Sequence, residues 1–90
     1  MSDDEMEKLR VKFRLRTINQ AAQLKQTLAR GDLGVPEIER HAHTIAGTGG
    51  TLGFTRLSKA AAVVDDKFAA GEAPTREQVE ALILEMENLG

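Results

Sequence analysis

The chain has 90 residues and a formal net charge of −2, with no cysteine, tryptophan or tyrosine and only three phenylalanines. That length supports one domain, 1–90, near the lower limit at which a hydrophobic core suffices unaided, and the missing cysteines exclude disulfides and thiolate metal sites. A slightly acidic balance without aromatic stacking platforms argues against nucleic acid as a partner, and no apolar run approaches the ~18 residues a membrane span needs, so a soluble, cytoplasmic protein with no membrane partner is expected.

The first segment opens with Ser2 and Glu5 at capping-box spacing and closes at Gly31, a suitable residue just past a helix end. Within it KLRVKFRLR alternates apolar and charged residues, which taken alone is the pattern of a strand. The alternation stops at Thr17, and the following NQAAQLKQTLAR is rich in strong helix formers. Phe13, Thr17, Ala21, Leu24 and Leu28 then fall on one line at helical spacing, which predicts a helix over 3–30. The basic run Lys8, Arg10, Lys12, Arg14 and Arg16 reads as a solvated helix face rather than a polyanion site.

Pro36 suits the first turn of a second helix, 36–52, in which Val35, Ile38, Ala42, Ile45, Gly49 and Leu52 recur at steps of three and four. A third, 56–70, carries Leu57, Ala61, Val64 and Phe68 on one side. The fourth, 76–89, is entered through a Thr75–Gln78 capping box and carries Val79, Leu82, Ile83, Met86 and Leu89. Four amphipathic helices with short connections and no credible strand predict an all-α fold, an antiparallel up-down-up-down four-helix bundle. A monomer is expected, although Val63 and Leu84 sit off their apolar stripes and leave surface patches through which the chain can dimerise.

HAHTIAGTGGTLG, at 41–53, raises a question of its own. Each interior glycine costs a helix about 0.5–1 kcal/mol relative to alanine, so Gly47, Gly49 and Gly50 need a reason. A phosphate-binding loop would require a preceding strand and different glycine spacing, and GTGGTLG has neither. His41 and His43 stand two residues apart and point to different sides of a helix, so no metal site is expected. At about 100° per residue His41 borders the core stripe and reads as a partly buried structural histidine. His43 faces outward, on the side that also holds Glu39, Arg40, Gly47 and Gly50. Gly47 and Gly50 clear the flank beside its imidazole, whereas Gly49 lies on the core stripe and admits a neighbouring helix. An exposed, unhindered imidazole is a competent nucleophile.

HTIAGTGGTLGF, from His43 onward, resembles the signature of histidine-containing phosphotransfer (HPt) domains, in which His-Thr-Leu-Lys-Gly is followed by small residues and then Leu-Gly. The resemblance extends to most of the chain: Phe13 in the first helix, Asp32 in the loop after it and LSKAAAVVDD in the third helix are similar to the family's pattern. It implies a phosphocarrier rather than an enzyme, with no ATP site and no cofactor of its own. His43 would accept a phosphoryl group from an aspartate of a response-regulator receiver domain and pass it to another, in a relay that includes a hybrid histidine kinase. The receiver would supply Mg²⁺. Attack through Nε2 leaves a proton on the other ring nitrogen, for which Glu39 or solvent is the acceptor. Where the family often has lysine, three residues after the histidine, this chain has Ala46, and Arg40 is the candidate substitute. Asp65 and Lys67 are candidates for a polar contact that some relatives make from the third helix. The leading alternative is a non-catalytic helical interaction module that keeps the fold. A histidine-kinase dimerisation domain would show an acidic residue after the histidine and an Arg-x-Pro-like stretch, and has neither here.

Overall fold

The computed structural model describes residues 3–89; Ser2, and with it the capping box read at Ser2 and Glu5, lies outside them. Four helices follow in order, α1 (Asp3–Ala29), α2 (Pro36–Thr51), α3 (Thr55–Ala69) and α4 (Arg76–Glu87), and no strand occurs among the described residues. The alternating stretch 8–16 is helical. Its pattern is still visible, because helical winding turns Phe13 into the core while Val11 and Leu15 stay 40% and 60% exposed.

α1 packs on α2 and α4, α3 packs on the same two helices, and neither diagonal pair meets. That is the up-down-up-down bundle. With 27 residues α1 spans about 40 Å at 1.5 Å per residue, which matches the molecule's longest dimension of 41 Å. α4, with 12 residues, covers less than half of it. The first turns of α1 therefore reach past their neighbours, and there Met6 is the hydrophobic residue that packs against the core.

The apolar stripes meet on the bundle axis as their spacing requires. Leu24, Ile38, Ile45, Leu57, Val64, Val79, Leu82 and Met86 are closed from solvent, each worth roughly 1.5–3 kcal/mol of burial that offsets chain entropy. Thr75 and Gln78 form the expected capping box, with Thr75 Oγ1 accepting from the Gln78 amide at 3.1 Å and Gln78 Oε1 from the Thr75 amide at 2.9 Å. Val63 and Leu84 are exposed, as their off-stripe positions required.

Two sets of contacts fix how α2 is turned. At its start Thr27 Oγ1 donates to Glu37 Oε2 at 3.1 Å, and Asp32 Oδ1 closes the preceding loop by accepting from the Gly34 amide at 3.0 Å. At its end the chain reverses through Gly53, whose φ of +90° is left-handed backbone that a side chain would strain. Phe54 then stacks on Phe13 with ring centroids 5.4 Å apart, the Arg14 guanidinium lies over the Phe54 ring 5.8 Å from its centroid, and Arg10 Nε donates to the Leu52 carbonyl at 2.9 Å. Pinned to α1 at both ends, α2 has one rotation available: Ile38, Ala42, Ile45 and Gly49 inward, His43 and Gly47 outward.

Candidate functional site

The two histidines are separated by that rotation. His41 is 9% exposed, on the edge of the core. The His43 side chain is 79% exposed, and its Nδ1 lies 3.3 Å from Asp65 Oδ2 on α3. A carboxylate can only accept, so in the neutral ring this contact keeps the proton on Nδ1 and leaves the Nε2 lone pair free. The Asp65 side chain is itself only 27% exposed, which holds the carboxylate in place better than a fully solvated one.

Burial lowers the pKa of His41 below its ordinary value, and the positive charge of Arg40 lowers it further, with Glu37 acting in the opposite direction. The folded chain thus binds this proton less readily than the unfolded chain. Stability is fully present above about pH 6.5, the unfolded value, and is lost as pH falls from there through the lowered folded value. A melting series from pH 7.5 to 5 is expected to show this decline, and His41→Gln to flatten it. An equally steep decline in His41→Gln would assign it to other groups.

The other expected site residues divide. Glu39 and Arg40 line a shallow concavity with Pro36, His43 and Asp65, and neither side chain makes an ion pair or hydrogen bond among the described residues. The sequence offers Glu39, one turn back, or solvent as the ring's acceptor; Asp65 lies at that nitrogen instead, because α3 packs closely enough along α2 to bring a carboxylate from outside the helix. Lys67, the other α3 candidate, pairs with Glu72 at 3.6 Å.

Gly47 has nothing within 4 Å of where a Cβ would stand, so the flank beside His43 is open there. Gly50 requires a correction. A Cβ on it would meet Ser58 Oγ at 3.0 Å, and that hydroxyl is engaged, donating to the Ala46 carbonyl at 2.7 Å. Gly50 therefore admits α3 and not only an incoming molecule. The rotational estimate placed it on the outward side correctly, but it could not show how far α3 wraps around that side. Gly49 is buried, with a notional Cβ in van der Waals contact with Phe13, Leu57 and Ile45 at 3.6–3.9 Å.

On its other side His43 borders a groove between α1 and α2, lined by Leu9, Lys12 and Arg16 of α1 and by Gly47 and Thr51 of α2. Lys12 and Arg16 belong to the run first read as a solvated face. Their place one step to the side of Phe13 signals that they lean toward a neighbouring helix. Which neighbour depends on the hand of the bundle, and helical periodicity does not contain that.

Among the described residues no group of acidic and histidine side chains could hold a metal ion, and no helix is long and apolar enough to cross a membrane. No curated protein and no solved structure matches the chain. The family model of the Hpt domain matches residues 5–90, from the first turn of α1 through the end of α4. With four helices in the required order and a match along essentially their whole length, the chain belongs to the Hpt domain family, whose members are helical phosphocarriers of phosphorelays.

Proposed function

We propose that the protein is a cytoplasmic histidine phosphotransfer protein in which His43 carries a phosphoryl group between receiver-domain aspartates, in a relay fed by a hybrid histidine kinase. The observation that carries this reading is the 3.3 Å contact of His43 Nδ1 with Asp65 at an imidazole otherwise open to solvent. It supplies what an imidazole nucleophile needs: a fixed ring, a defined tautomer and a free Nε2. Transfer then balances without a proton step. The Nε2 lone pair forms the N–P bond as the P–O bond to the donor aspartate breaks, and that electron pair returns to the aspartate carboxylate. The Nδ1 proton stays on the ring, where Asp65 accepts its hydrogen bond and offsets the positive charge the ring acquires. Charge on the transferring group is met by the receiver and its Mg²⁺, so this chain contributes position rather than a complete active site.

Incubation with phosphorylated receiver domains from the same genome is expected to place acid-labile phosphate on this chain, and chasing with an unphosphorylated receiver to remove it. A chain that stays unlabelled with every receiver would leave the helical interaction module as the better reading. Asp65→Ala should fold normally and accept phosphate about 10- to 100-fold more slowly, the effect of losing a charge-assisted hydrogen bond worth roughly 1.5–3 kcal/mol. Asp65→Asn, which keeps an acceptor and loses the charge, should fall between.

A further inference from the structure

We infer that the phosphoryl group on His43 is bound from α1, by Lys12 and Arg16 across the α1–α2 groove, and not from α2 by Arg40; the inference rests on the reading of His43 as the phosphorylated residue. His43 borders two concavities. One contains Glu39, Arg40 and Asp65; the other contains Lys12, Arg16 and Gly47. Nδ1 is committed to Asp65 on the first side. The two ring nitrogens are separated by one ring carbon and their lone pairs diverge widely, so with Nδ1 toward Asp65 the reactive Nε2 points away from the first concavity.

Electrostatics selects the same side. A phosphoryl dianion in the first concavity would face the carboxylates of Asp65 and Glu39, with Arg40 as the one cation against them. The α1–α2 groove is lined by two cations and no carboxylate. Lys12 and Arg16 stand one helical turn apart, and neither has an ion-pair partner among the described residues. Arg40 has none either among the described residues, so the contrast between the two concavities lies in their carboxylates and in the number of cations. Gly47 adds nothing between Nε2 and these cations, since the space a Cβ would occupy there is free of other atoms. An arginine fork and a lysine ammonium one turn apart suit a phosphoryl group's several oxygens, and the thin, solvated contact they make leaves the group transferable.

The test requires no receiver. Phosphoramidate phosphorylates an accessible imidazole directly, the N–P bond to histidine forming as the P–N bond to ammonia breaks. The ³¹P resonance of the phosphohistidine is then titrated with pH in the parent and in Lys12→Gln, Arg16→Gln, the double variant and Arg40→Gln. All three positions are exposed, so the fold is not at issue, and Asp65 and Glu39 face the site equally in every variant. Loss of a nearby cation favours the protonated phosphoryl group, so each α1 variant should raise the titration midpoint by about half a unit and the double variant by about one, with Arg40→Gln like the parent. α1 variants that titrate like the parent, or a midpoint moved by Arg40→Gln alone, would overturn the inference. A parent whose His43 gives no phosphohistidine signal would instead overturn the reading beneath it.

Discussion

His43→Gln is expected to abolish phosphate acceptance with the circular dichroism spectrum unchanged, and His41→Gln to retain acceptance with a stability loss of about 1 kcal/mol. The asymmetry follows from environment, since the two residues share a helix and stand two positions apart. The His43 side chain is 79% exposed, and among the described residues Asp65 is its one polar contact, so its removal leaves no cavity. Glutamine is a good helix former, but its amide nitrogen has a delocalised lone pair and cannot displace an acyl phosphate. His41 is 9% exposed and part of the wall that α2 presents to the core, so its loss is felt in packing and not in chemistry. Retained labelling in His43→Gln would sink the site assignment whatever the state of the fold.

The glycines give the second large effect, and the structure predicts a different outcome at each. The Cβ of Gly47→Gln would have nothing from the neighbouring helices within 4 Å, so the bundle should be unchanged or more stable by about 0.5–1 kcal/mol, the helix exchanging its most flexible residue for a helix former. Transfer should nevertheless fall by about a hundredfold, because in-line attack needs nitrogen and phosphorus within about 3–3.5 Å and a side chain beside the ring holds the partner off. Gly49→Gln should destabilise strongly, by overpacking against Phe13, Leu57 and Ile45 and by burying an amide. Gly50→Gln lies between them: its gain in helix propensity is spent on displacing Ser58 from the Ala46 carbonyl, a bond worth about 1 kcal/mol. Thermal melts set beside transfer rates separate the three. Equal transfer rates in Gly47→Gln and the parent would mean that the open flank does not serve a partner.

Periodicity carried most of the fold into view. The line from Phe13 to Leu28, the line from Ile38 to Gly49 and the Thr75–Gln78 box each depend on residues a few places apart in the chain, and such local spacing is what helical geometry makes legible. The same arithmetic separated buried His41 from exposed His43. It failed where the answer required two helices at once. For the proton on His43 Nδ1 the helix itself offers Glu39, or else solvent, and the neighbour comes from α3, 22 residues along, where spacing leaves Asp65 and Lys67 as equal candidates for a polar contact. Gly50 appeared to be open because its angle on α2 is outward, yet Ser58 reaches round to it. Lys12 and Arg16 looked like ordinary solvated cations until the side-by-side placement of α1 and α2 gave them a groove and a histidine to face. Angles about one helix axis are written in the sequence; the contact distance and handedness between axes arise only when the cores interlock.

The position of the phosphate on the labelled chain separates His43 from every other acceptor. Trypsin cleavage after Arg40 and Arg56 releases one peptide that carries both histidines, so labelled chain digested at neutral pH must be fragmented to separate position 41 from position 43. The phosphate is expected on fragments that contain His43 and to be absent from those that contain His41 without it; phosphate on His41, or on any peptide outside α2, would contradict the account.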